Sequence, residues 1–201
     1  VCATGAINAD SLTDSPLTKP YMGSTGLVGL DHLYRPPAAE SRRVALDREI
    51  ILPGKSLTIL EKDGPGIITR IWLFPVGDPD LGENLVLRAW WDDETSPSVE
   101  ATYGSFFLNG FGRVKNTELN SALMRGGVEA GNVSLFPMPF REHARVALEN
   151  RTPYPVRISG LVEWRYGVPV ASNALYFHAC ESFSLPVPND VHRVLHARGK
   201  G

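Results

Sequence analysis

Residues 132–167 read NVSLFPMPFREHARVALENRTPYPVRISGLVEWRYG, two stretches of β character hinged by a proline-containing turn. In the second stretch, VRISGLVEWRY, Val156, Ile158, Gly160, Val162, Trp164 and Tyr166 fall on one side of an extended chain. Arg157, Ser159, Glu163 and Arg165 fall mostly on the other. A period of two sustained over this length predicts a strand with one buried and one wet face. Arg145, Arg157, Glu163 and Arg165 are then the polar positions of a sheet whose outer face meets water, rather than the working groups of an enzyme.

Upstream the same texture repeats. SLTILE (56–61), the turn KDGPG and IITRIWLF (67–74) predict a hairpin. NLVLRAWW (84–91), the acidic turn DDETSPS and VEATY predict a second pair of neighbouring antiparallel strands. Seven or eight such strands, with no amphipathic helix beyond about ten residues and no fixed-period repeat, predict an all-β, jelly-roll-like antiparallel β-sandwich. Residues 1–41, rich in Gly, Ser, Thr and Pro, read as an extended N-terminal arm with one short helical turn at GLVGLDHLY. The sandwich is assigned to 42–181 and a C-terminal linker to 182–201.

A net charge of −2, from 20 basic and 22 acidic residues, supplies no field to draw nucleic acid or an anionic membrane. No run approaches the roughly 20 apolar residues of a spanning helix. GSTGLVGL lacks the lysine and the strand–helix setting of a phosphate loop, and no G-x-S-x-G nucleophile motif occurs. His32, His143, His178, His192 and His196 include one i, i+4 pair, but HRVLH has no glutamate between its histidines. Neither a metal nor a cofactor is expected. Cys2 and Cys180 lack metal-ligand spacing, and Cys180 reads as a small buried hydrophobe. The sequence opens on Val1, and VC also matches the end of a lipobox, which places the protein in a bacterial cell envelope or outside the cell if Cys2 is lipidated.

Carboxylates and rings remain. Glycoside hydrolysis needs two carboxyl groups about 5–5.5 Å apart for retention or about 6.5–9.5 Å for inversion, in a site whose rings stack on sugar. Candidate acids are Asp31, Glu40, Asp47, Glu49, Glu61, Glu100, Glu149 and Glu163; candidate rings are Trp72, Trp90, Trp91, Trp164, Phe106, Phe107, Phe111, Tyr176 and Phe177. Spacing alone pairs none of the acids, and most rings of a sandwich belong to its core.

Five blocks in order carry a resemblance: GLDHLYRPPAAESRR, GPGIITRIW, LVLRAWWDDETSPSVEATYGSFF, FPMPFREHARVALEN, and ALYFHA followed by a final GKG. Together they resemble the domain-of-unknown-function 2961 family, whose characterised members form glycoside hydrolase family 172, over about Gly29 to Gly201. The resemblance implies exo-acting, retaining enzymes that release fructofuranose or arabinofuranose units with two glutamates. It implies two consecutive jelly rolls and homo-oligomers, trimers or hexamers.

The chain corresponds to the first jelly roll, with 182–201 leading toward the second, where the family's catalytic glutamates are expected. It is therefore expected to lack a complete catalytic pair, and no catalytic residue is assigned. Ser105 stands where relatives carry an acid before the paired phenylalanines. Asp47 and Arg48 match the Asp-Arg that closes a family block, so the resemblance makes Asp47 the candidate contact to a substrate hydroxyl, helped by Arg48. Trp72 and Phe107 are candidate sugar-facing rings, and a strand-entry ion pair is the alternative role for Asp47. Two functional classes follow: the N-terminal domain of a furanoside hydrolase, or a non-catalytic carbohydrate-binding or assembly module. The expected partners are a furanoside oligo- or polysaccharide and further copies of the chain.

Overall fold

A computed structural model describes residues 40–77, 80–108, 119–126 and 131–182. The arm (1–41) and linker (182–201) assigned from sequence lie almost wholly outside these residues, as do His32, Phe111, His192 and His196. Among the described residues twelve strands run in chain order: β1 (Glu40–Ile51), β2 (Ser56–Asp63), β3 (Gly66–Val76), β4 (Leu85–Trp91), β5 (Val99–Thr102), β6 (Leu119–Asn120), β7 (Met124–Gly126), β8 (Asn132–Ser134), β9 (Met138–Phe140), β10 (His143–Asn150), β11 (Val156–Tyr166) and β12 (Ala179–Cys180). Two single helical turns, Leu81–Asn84 and Tyr103–Phe106, interrupt them. No described helix is long and apolar enough to cross a membrane.

The strands form two sheets packed as a sandwich. A seven-stranded sheet has the order β1-β11-β3-β8-β7-β6, with β9 also paired to β3. A five-stranded sheet has the order β12-β5-β4-β10-β2. Every pairing is antiparallel except β12 with β5. The succession β1-β11-β3-β8 against β2-β10-β4-β5 is the double Greek-key winding of a jelly roll.

β4 and β5 pair as expected, from Val86↔Thr102 to Ala89↔Val99. The expected β2–β3 hairpin does not form. β3 already has β11 on one side and β8 and β9 on the other, so it offers no open edge. β2 lies in the five-stranded sheet, paired with β10, and the chain crosses at Gly64–Pro65 to β3 in the other sheet. β10 and β11, the two stretches of the opening segment, likewise lie in different sheets. Alternation reports which face of a strand is buried and is silent about its neighbour.

Alternation on β11 holds from Val156 to Trp164, with Val156, Ile158, Val162 and Trp164 buried, and fails at Tyr166, which is exposed at the end of the strand. Facing them across the interior are Leu85, Leu87, Ala89 and Trp91 from β4 and Ala144, Val146 and Leu148 from β10. Each fully buried Leu or Ile among these stabilises the fold by about 1.5–3 kcal/mol. Gly160 sits opposite Leu46 and Leu73. A Cβ there would lie 2.2 Å from the Trp72 carbonyl oxygen, so the closeness of β11 to β3 depends on its absence. Gly160→Ala is expected to cost about 3 kcal/mol, because backbone must move. Gly54→Ala, with positive φ but open space around it, is expected to cost only about 1 kcal/mol. Urea denaturation of the two variants checks the contrast.

Candidate carbohydrate cleft

At the sheet edge formed by β5 and β12, a cleft of about 420 Å³ opens between Ser105, Phe106, Phe136, Phe177, Cys180 and Glu181. Its rings form a chain of contacts: Phe106 meets Phe177 edge-on at 6.3 Å between centroids, and Phe177 meets Phe136 at 5.4 Å. Glu181 is held from two sides, accepting from the Thr102 backbone N–H at 3.0 Å and from Ser105 Oγ at 2.8 Å. Burial opposes its ionisation, but these donors outweigh it and hold the carboxyl below its ordinary pKa. Glu181 is therefore an anion at neutral pH, suited to accept hydrogen bonds from sugar hydroxyls rather than to donate a proton. It is the one carboxylate in the described lining.

The segment carrying Phe177 and Glu181 is fastened at the far end of β4. Trp91, fully buried, donates its Nε1–H to the Phe177 carbonyl at 2.7 Å. The next residue, Asp92, has a φ of 53°, a left-handed conformation that aspartate tolerates better than most side chains. Its Oδ1 accepts from the backbone N–H groups of Arg141, Glu142 and His143 at 2.9, 2.7 and 3.1 Å. Its Oδ2 accepts from the Tyr176 hydroxyl. Arg141 donates to that same hydroxyl and to the carbonyls of Ala171, Ser172 and Ala174 at 2.9, 3.1 and 3.2 Å. Burial, then the bond to Asp92, pushes the Tyr176 phenol up to about 12, so it remains a donor.

The structure separates the residues singled out from sequence. Asp47 and Arg48 are exposed at a bulge in β1, between Leu46 and Glu49, where Arg48 has a φ of 57° and its N–H reaches Ser159 Oγ at 3.3 Å. β1 is the edge of its sheet opposite β8, β7 and β6, whereas the cleft includes Met124 of β7, so Asp47 and Arg48 do not line it. Trp72 is half-buried on β3, in register with Leu161 and Val133. Phe107 requires a correction: it is wholly buried, with its ring 4.9 Å from those of both Tyr103 and Phe106, and serves the core. Its position just after a helical turn points it inward, which alternation could not show. Cys180 is also corrected; it is exposed on the edge strand β12.

Of the candidate acids, Glu100 and Glu149 pair with Arg88 at 3.4 and 2.5 Å, Glu163 with Arg70 at 3.9 Å and Glu61 with His143 at 3.6 Å. The arginine contacts are cross-strand ion pairs on solvated faces, and Glu61 faces His143 across the five-stranded sheet. Sequence reasoning missed Glu181, Asp92 and Arg141; Tyr176 was among the candidate rings, but its hydroxyl is tied to Asp92. The available signal was an Asp directly after the apolar run of β4, a position where a side chain commonly closes a turn.

A family model described as GH172 domain-like matches residues 42–159. That span is more than half of the chain, and the chain belongs to this family, which relates it to a glycoside hydrolase family. No curated protein matches the chain.

The Asp92 junction has a measurable pH signature. Burial opposes its ionisation, but the Tyr176 hydroxyl and the three backbone donors outweigh it, so its pKa is lowered. A depressed folded-state pKa adds stability that is present above the ordinary unfolded value and lost as pH falls toward the folded one. Asp92→Ala is expected to destabilise the protein by about 2–4 kcal/mol at neutral pH. The gap from the parent protein should narrow as pH falls below about 4. Denaturant titrations at about pH 7 and about pH 3 check the sign.

Proposed function

We propose that this chain is the sugar-recognising jelly-roll unit of a glycoside hydrolase that releases furanose units, fructofuranose or arabinofuranose. The observation that carries the proposal is the cleft: a floor of phenylalanine rings beside an ionised carboxylate, in a chain of the GH172 domain-like family. Rings cover the apolar face of a sugar while a fixed acceptor orders its hydroxyls. Hydrolysis of either stereochemical type needs two carboxyl groups. The described lining supplies one, so a catalytic pair requires groups from outside that lining. The same observation favours a second reading, a non-catalytic carbohydrate-binding or assembly module.

Asp47, Arg48 and Trp72 belong to the proposal as separate substrate contacts on the seven-stranded sheet. Association into homo-oligomers, and a place in the cell envelope or outside the cell, are further parts of it; light scattering checks the first.

Titration with fructo- and arabino-oligosaccharides, alongside turnover of nitrophenyl fructo- and arabinofuranosides, tests the readings. Binding with turnover supports the hydrolase, and binding without turnover supports the module. Neither binding nor turnover would overturn both. Phe177→Ala and Glu181→Ala are each expected to weaken oligosaccharide binding by about 10-fold. Asp47→Asn is expected to weaken it by about 10- to 100-fold, and unchanged affinity removes Asp47 from the site.

A further inference from the structure

The outer face of the five-stranded sheet carries a second hollow, of about 200 Å³, away from the cleft. Its floor is Ala147, which lies opposite Arg88 on β4 and Thr58 on β2. A single methyl stands there among long side chains, and that difference in length makes the depression. Arg145 and Glu149, two positions either way along β10, form its ends, and Trp90 and Ser56 complete the walls.

The charges around it are unequal. Arg88 is engaged by Glu149 at 2.5 Å and Glu100 at 3.4 Å, and Arg151 reaches Glu149 at 3.2 Å. Arg145 is different. Its guanidinium lies 3.9 Å from the centroid of Trp90, and among the described residues it forms no ion pair. Glu61, its register partner, reaches His143 instead, at 3.6 Å. Among the residues that line the hollow, two arginines, Arg88 and Arg145, face one glutamate, Glu149, and the Trp90 ring fixes the plane of the Arg145 guanidinium.

We propose that this hollow binds a small hydroxylated carboxylate, a uronic acid or related sugar acid. Its carboxylate pairs with the fork of Arg145, and its hydroxyls meet Ser56, Thr58 and Glu149. The volume is below the roughly 300–1,000 Å³ of sites for drug-sized ligands, which limits the occupant to one small unit. A neutral sugar would find one face of Trp90 already covered by Arg145. A phosphate dianion would meet the fixed negative charge of Glu149. Burial resists ionisation of Glu149, but Arg151 and Arg88 outweigh it and keep the carboxyl below its ordinary pKa. The inference is independent of the proposed furanosidase role.

Glucuronate, glucose and acetate, titrated separately into the intact chain and followed by NMR shifts of the Trp90 indole and Arg145 side chain, test it. Glucuronate is expected to bind with a Kd on the order of 1 mM. Glucose and acetate should each bind about 10-fold more weakly, since each satisfies half of the site. Arg145→Gln should reduce glucuronate affinity about 10-fold while leaving the thermal melting curve in place, and Arg145→Lys should fall between. Glu181→Ala should leave glucuronate binding unchanged, which separates this hollow from the cleft. A digalacturonate that binds more tightly than glucuronate identifies a glycan end as the source; equal or weaker binding identifies the free acid. Equal affinity for glucuronate and glucose, or no shift at Arg145, would overturn the proposal.

Discussion

The Asp92 carboxylate is the fixed point around which the cleft side of this molecule is arranged. One oxygen gathers three consecutive backbone N–H groups at the turn between β9 and β10, and the other takes the Tyr176 hydroxyl. Backbone donors at such a turn face away from the sheet ladder and would otherwise be left to water. By satisfying them, a single side chain joins the end of β4, the start of β10 and the segment that leads to β12. Arg141 completes the junction by bonding three carbonyls of residues 171–174 and stacking over Tyr176. Phe177 and Glu181 owe their places in the cleft to this fastening and to the Trp91 indole beside it.

The two surfaces of the five-stranded sheet divide its labour. Inward, Leu85, Leu87, Val146 and Leu148 close the interior against β11 and β3. Outward, Arg88, Arg145 and Glu149 form a charged field around the small Ala147. Exposed ion pairs of this kind contribute little to stability, so the fold rests on the inward face rather than on these charges. The cleft at the sheet edge differs in kind: it is apolar, floored by rings, with one anion held by Thr102 and Ser105.

Much of the strand pattern was legible in the residues. Period-two alternation in 156–166 located β11 and its buried face, and the β4–β5 pair followed from two apolar runs around an acidic turn. Solvated roles for Arg145, Arg157, Glu163 and Arg165 were also legible, because charged groups need water or a partner. Sheet membership was not. SLTILE and IITRIWLF look like a hairpin and instead belong to opposite sheets, since β3 is enclosed on both edges by strands far away in the sequence.

The sequence by itself determined the class of fold, because hydrophobic alternation and turn residues act over a few neighbours, and among the described residues helix is confined to two single turns. It also carried the family, whose model matches residues 42–159 and so takes in the three middle blocks of the resemblance. Only the tertiary structure decided which strands are neighbours, that Phe107 is core, that Cys180 is exposed, and that Glu181 meets Ser105 from 76 positions away. The physical reason is range. Burial on one face of a strand is a local property, whereas a site is assembled from the far ends of a folded chain, and residue spacing holds no record of that assembly.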